Sequence, residues 1–414
     1  MVPRTPAARL CCLDLDTFFV SVERLLDPSL EGKPVVVGGR KGQRGVVTAA
    51  SYEVRAFGVR SGMPMAEAER RAPHAVFLPT RHGVYSPYSR KVKEILERGC
   101  PSVQTASIDE YYLDWYGCER MLRRLGDRDD DAAVLRTVRG LRQQIQDELG
   151  LPASVGIGAT RAIAKMASRD AKPAGVFLVP LGQEQAYVRD MPVRAFPGIG
   201  PVAERRLNAA GLHTLGQLVD LPAGPVLMRF QGPVCAVRQG IDPARAQPLG
   251  RDRPAFHEHD PQGVDVGSIS NERTFMQDAA DPVAVEVQLR ALSERVAWRA
   301  RGRNVRARTI GLKLRWSDFE TISRSITVGP TWCEHEIHRV VLELYRAAKG
   351  RQRRSVRLVG VVLSNLVAPS QQLALPFADP TRPSPGDAID AVRQRFGYDA
   401  IRLGAVGKKS SWVA

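Results

Sequence analysis

The first 175 residues alternate short apolar runs with amphipathic stretches, and this switching between two periods constrains the fold more than any other feature. Runs at 10–15, 34–37, 46–49 and 155–159 read as strands. Apolar residues at helical spacing read as helices over 18–26, 65–71, 85–97 and 132–149, with another following residue 159; Thr17 is available to cap the first. The charged stretch 120–131 reads as a surface connection. Beyond residue 192 the pattern becomes short helices broken by Gly and Pro, and 241–266 reads as a linker. Strands are then expected at 268–275, 307–316, 322–328 and 357–366, with helices at 282–300 and 334–349. A Pro-rich stretch, 367–387, precedes one amphipathic helix near 388–396. The expected class is α/β (α+β), and 414 residues fit two to four domains.

Sixty basic residues against forty-four acidic ones leave a net charge of +16. Between Arg295 and Arg357 there are sixteen Lys/Arg and five Asp/Glu, so +11 of that excess lies in one region. Such concentration points to a polyanion, nucleic acid above all. Ile310, Leu312, Leu314 and Trp316 alternate with Thr309, Gly311, Lys313 and Arg315, the period of a strand with one face packed and one basic. Arg306 and Arg308 share the parity of the apolar side. They must lie beyond the edge of the core, or a bulge must shift the register before Ile310. Six scattered cysteines include no CxxC pair, which argues against a disulfide framework or structural zinc site. His257, His259, Cys333, His335 and His338 lack a fourth-ligand pattern and read as surface residues. No 18-residue apolar run occurs and residues 1–9 lack a secretory apolar region, so a cytoplasmic protein without membrane contact is expected.

Two acidic motifs fall at strand ends. In LDLD, Asp14 and Asp16 are two apart on a strand and share a face; in SIDEYYLD, Asp109 and Glu110 are adjacent. Carboxylates placed this way are hard oxygen ligands suited to Mg²⁺. Two such ions would clamp the attacking and leaving oxygens of a phosphoryl transfer. Singly, an aspartate after a strand is as readily a turn or cap residue.

Between the two motifs lies SYEVRAFGVRSGMP (51–64). With it, the chain resembles the Y family of DNA polymerases. The LDLDTFF and SIDEYYLD segments look like the family's metal-ligand motifs in the expected order. DAKPAG, with Lys172, is similar to its final palm motif, and NERTF (271–275) to the opening of its little finger. The resemblance covers residues 10 to about 365. It implies that Asp14, Asp109 and Glu110, with the Leu15 carbonyl, hold two Mg²⁺ ions. It also implies that Phe19 excludes a sugar 2′-hydroxyl, and that Tyr52, Arg55 and Lys172 grip the triphosphate of an incoming deoxynucleotide. Asp16 matches no principal ligand and is left structural. The sequence departs from the family at Ala49, where a phosphate-contacting Thr is common; Thr48 is adjacent, but one step along a strand reverses the face.

The resemblance implies a right hand: palm 1–17 and 82–176, fingers 18–81, thumb 177–244, linker 245–266, little finger 267–366 and tail 367–414. FPGIGPVAERRLNAAG reads as a helix-hairpin-helix whose Gly198 and Gly200 expose backbone N–H groups to a DNA phosphate. GGRKGQRG (38–45) lacks the Lys-Ser/Thr ending of a phosphate-binding loop and reads as a hairpin turn near template or nucleotide. In the tail, Gln372, Leu375 and Phe377 form Gln-x-x-Leu-x-Phe, similar to the peptide that docks bacterial polymerases on the sliding clamp. The expected protein is therefore a low-fidelity, monomeric DNA polymerase for translesion synthesis, binding primer-template DNA, deoxynucleoside triphosphates and a clamp. No further carboxylate cluster offers a proofreading site. The alternatives are a non-catalytic polymerase-like accessory, disfavoured by the three carboxylates, and a glycosylase or nuclease, which leaves the first 175 residues unexplained.

Overall fold

A computed structural model describes residues 9–115, 117–245, 249, 267–350, 354–369 and 386–402. The expected linker from 250 on, His257, His259 and the Gln372–Leu375–Phe377 peptide lie outside them. The chain divides near residue 256 into two compact units.

In the amino-terminal unit the strands are β1 (Leu10–Leu15), β2 (Val35–Gly38), β3 (Ala49–Ala50), β4 (Val76–Pro79), β5 (Ser102–Thr105), β6 (Glu110–Asp114), β7 (Ala153–Gly158) and β8 (Val176–Leu178). The main sheet runs β5-β6-β1-β7-β8; β1 is antiparallel to both neighbours. As a central strand, β1 is buried on both faces, which is why it reads as a continuous apolar run until its carboxylates. Cys11, Leu13 and Leu15 face the large core with Val138 and Ile145 of the helix Asp130–Leu149, while Cys12 faces Tyr112 and Ala164.

The helix Arg161–Asp170 lies so close to β7 that a Cβ on Gly156 would stand 2.1 Å from the Ala164 carbonyl oxygen and the Ser168 nitrogen. Both obstacles are backbone. Gly156→Ala should therefore destabilise this unit by about 3 kcal/mol or more. Thermal unfolding should show its midpoint lowered by roughly 5–10 °C; an unshifted midpoint would mean that helix and strand separate freely.

A smaller sheet, β3-β2-β4, packs its own core of Val36, Val54, Val59, Met65 and Ala68. The strand expected at 46–49 is shorter than its apolar run: Val46 and Val47 pair with Gly62, Met63 and Pro64 instead, leaving Ala49–Ala50 to β2. Thr17 precedes the helix Phe18–Leu26 in a left-handed conformation, and its hydroxyl meets that of Ser21 at 3.2 Å rather than capping a backbone N–H. Between 192 and 241, short helices enclose Phe196, Ile199, Leu207, Leu215 and Val234, together with Ile163 and Met166. Gly198, at φ +100°, turns the chain so that Gly200 can precede the helix Pro201–Asn208.

The second unit contains β9 (Ser268–Ala279), β10 (Arg306–Trp316), β11 (Thr321–Thr331) and β12 (Val356–Val367) in the antiparallel order β11-β10-β12-β9. The helices Pro282–Arg301 and Glu334–Lys349 pack on one face, over Ile310, Leu312, Leu314 and Trp316. The register shifts between Ala307 and Thr309. Ala307 is thereby buried and Arg308 exposed, so the bulge resolves the parity conflict. A last helix, Gly386–Phe396, is held by charge: Arg393 and Glu294, each with 1% of its side chain exposed, bond at 2.9 Å. Arg301 bridges Asp390 at 2.6 Å and Glu334 at 2.8 Å. Among the described residues no helix is long and apolar enough to cross a membrane.

Candidate active site

The antiparallel register of β1 and β6 sets Asp14 opposite Glu110. Asp109 precedes β6, and its carbonyl accepts the Leu15 N–H at 2.9 Å, tying the two acidic motifs together. The three carboxylates are held separately. Asp14 pairs with the Lys172 ammonium, Glu110 with that of Lys165 at 2.5 Å, and Asp109 accepts the Ser107 hydroxyl. Burial pushes the Asp14 carboxyl above the usual carboxylate range; Lys172 opposes this, while Asp109 and Glu110 add to it.

Asp16 is the organising group beside them. Only 1% exposed, it accepts the Ser154 hydroxyl at 2.7 Å, the Ala174 N–H at 2.7 Å and the Tyr52 hydroxyl at 3.2 Å. It therefore fixes the loop that carries Lys172, whose ammonium also lies 3.7 Å from it. Tyr52 and Arg55 sit on the helix Tyr52–Arg55, which Ser51 caps by accepting the Val54 N–H. The Arg55 guanidinium stacks 4.7 Å from the Tyr52 ring centre, and its Nε donates to the Ala50 carbonyl at 3.1 Å. Burial, then Asp16, pushes the Tyr52 phenol up, so it remains a neutral donor at neutral pH. The Thr48 hydroxyl donates to the Val37 carbonyl at 2.9 Å and meets Thr80 at 3.0 Å. It is committed to the small sheet and does not substitute for the hydroxyl missing at Ala49.

Phe19 follows the acidic strand on the helix Phe18–Leu26. It is 9% exposed, its ring stacked at 4.1 Å on Tyr85 and edge-on to His82 at 5.8 Å. The basic residues of the second unit have packing of their own. Arg306 stacks 4.7 Å from the Trp332 ring centre, while Arg308 is exposed beside its bulge. At Gly198 and Gly200 the space around the backbone is open, as close approach of another chain would require.

The donor set fits a hard divalent cation, because every candidate side chain offers carboxylate oxygen. No three acidic, histidine or cysteine side chains among the described residues form a ready metal cluster. The cationic charge is supplied by Lys172 and Lys165. Sequence reasoning passed over Lys165, since one lysine in an amphipathic helix carries no distinguishing signal; only the fold sets it against a residue 55 positions away.

The impB/mucB/samB family matches residues 13–169, and its C-terminal domain matches residues 266–375. DNA polymerase IV of Dehalococcoides mccartyi is 35% identical over 97% of this chain and 98% of its own length. DNA polymerase IV of Halorhodospira halophila is 37% identical over 86% of this chain and 94% of its own length. Among solved structures, a Y-family DNA polymerase chimera of Dbh and Dpo4 has a TM-score of 0.71 at 23% identity, covering 87% of this chain and 100% of that one. An insertion ternary complex of Dbh DNA polymerase, 24% identical with the same coverage, has a TM-score of 0.55.

Proposed function

The chain belongs to the Y family of DNA polymerases and is a DNA-directed DNA polymerase; on that premise we propose that it extends primers past template damage with low fidelity, without proofreading, as a clamp-recruited enzyme. The observation that carries the catalytic part is the pairing of Asp14 with Glu110 across β1 and β6, with Asp109 at the next position. Two Mg²⁺ ions held by these carboxylates and the Leu15 carbonyl would supply Lewis-acid stabilisation of the charge developing in phosphoryl transfer.

The remaining roles rest on the chemistry of the residues themselves. Lys172 leaves Asp14 to meet triphosphate oxygen, Arg55 offers planar paired donors, and neutral Tyr52 donates its hydroxyl. Lys165 balances Glu110 until substrate arrives. Phe19 presents a ring against the sugar and leaves no space for a 2′-hydroxyl. Primer-template DNA is gripped by Gly198 and Gly200 in the thumb and by Arg306 and Arg308 in the second unit, contacts to phosphate that read no sequence. Damage bypass is supported by the small fingers, in which the longest described helix after β3 and before β4 is Met65–Arg71. Recruitment is supported by Gln372, Leu375 and Phe377.

Primer extension tests the reading. With Mg²⁺ and deoxynucleotides the protein should extend a primer on intact and abasic templates, stop when EDTA is added, and leave a mismatched 3′ end unremoved. Failure on the intact template would overturn the catalytic assignment; failure on the abasic one alone would overturn damage bypass.

A further inference from the structure

Behind Phe19 lies a closed circuit of contacts that phosphoryl transfer does not require. Phe19 and Glu23 stand one turn apart on the helix Phe18–Leu26, so both point to the same side of it. Tyr85, on the helix His82–Gly99, meets both. Its ring lies nearly parallel to that of Phe19, at 16° and 4.1 Å, and its hydroxyl donates to Glu23 Oε1 at 2.6 Å. Arg81, at the start of the same helix, donates Nε to Oε1 at 2.9 Å and its terminal nitrogen to Oε2. Glu23 and Tyr85 are both buried.

A buried carboxylate costs stability unless every oxygen is satisfied, and plain anchoring of one helix to another needs no charge. What this arrangement adds is orientation. A phenol tethered only by its ring can slide or tilt on its neighbour; one whose hydroxyl is fixed to a carboxylate, itself held by a planar guanidinium, cannot. The stacked Phe19 ring inherits that fixed plane. Steric discrimination between hydrogen and hydroxyl at one carbon depends on ring placement to within about 0.5 Å, which a mobile floor would not maintain.

We propose that Tyr85, locked by Glu23 and Arg81, is a positioning residue for sugar selection: it sets the plane in which Phe19 meets the sugar. The proposal rests on the reading of Phe19 as the residue facing the sugar. It assigns the discrimination to the Tyr85 hydroxyl as well as to the rings.

Single-nucleotide insertion, measured as kcat/KM for a deoxynucleotide and the matching ribonucleotide, tests it in the full chain. Tyr85→Phe keeps the ring and removes only the hydroxyl. It should raise ribonucleotide kcat/KM by about fivefold, with deoxynucleotide kcat/KM held within about twofold. Glu23→Gln, which keeps an acceptor for the phenol, should relax selection less than Tyr85→Phe. A tie that is merely structural would lower both nucleotides together. Phe19→Ala provides the reference and should relax selection more than either variant. If it does and Tyr85→Phe leaves selection as in the parent, or lowers both nucleotides equally, the positioning role is overturned while Phe19 keeps its own. If Phe19→Ala itself leaves selection unaltered, Phe19 does not face the sugar and the proposal falls with it.

Discussion

Asp109→Ala is expected to lower the single-turnover rate of nucleotide addition by ~10³-fold or more, with primer-template affinity held within about twofold. Asp109 lies at the turn into β6, its carboxylate accepting the Ser107 hydroxyl beside the paired Asp14 and Glu110. The side chain belongs to none of the hydrophobic core clusters, so its truncation removes a carboxylate without removing core packing. On the proposed reading DNA affinity rests on basic groups elsewhere, so it should fall steeply with salt in parent and variant alike. Asp16→Asn should behave differently. It removes charge from a buried acceptor of three hydrogen bonds, so lost stability and a displaced Lys172 loop should accompany any lost rate. Single-turnover extension alongside fluorescence anisotropy on labelled DNA separates the two behaviours. Undiminished extension by Asp109→Ala would remove Asp109 from the catalytic group.

The elements legible in the sequence are those whose own residues determine them. β1 occupies its apolar run, and the helix Glu334–Lys349 its amphipathic stretch, because a period is a local property. The bulge at Arg308 was also foreshadowed, since two arginines cannot share a face with Ile310 and Trp316 without either a break in register or an edge. What sequence did not disclose depends on partners far along the chain. Lys172 reaches Asp14 across 158 positions, and Tyr85 reaches Glu23 across 62. The last helix began as a lone amphipathic segment and proved to be fastened by the Arg393–Glu294 and Arg301–Asp390 pairs. Buried charge of this kind resembles surface charge in a sequence, because each residue alone is simply polar. Thr17 illustrates the reverse error: a good cap by residue type, it is turned away by its own backbone conformation.

Replacing both Leu375 and Phe377 by Ala should weaken binding to a bacterial sliding clamp by roughly two orders of magnitude or more. In the sequence Gln372 follows Val367, the last residue of β12, by five positions, and the peptide is not part of the amino-terminal unit. Peptides that dock in grooves draw most of their affinity from a few apolar anchors, with polar groups fixing direction. Leu375 and Phe377 are the two large apolar side chains spaced as such anchors, and Gln372 is the polar group preceding them. The expected consequence is kinetic rather than chemical. A tethered polymerase rebinds the same primer end at the high effective concentration its linker provides, so losing the anchors should shorten products made on clamp-loaded DNA. Extension without the clamp is the internal reference, because the proposed catalytic carboxylates Asp14, Asp109 and Glu110 belong to the other unit. Clamp affinity by calorimetry and product length on loaded and unloaded templates provide independent readouts. Parent-like affinity in the double variant would show that the Gln-x-x-Leu-x-Phe pattern is only a connecting stretch and that any clamp contact lies elsewhere.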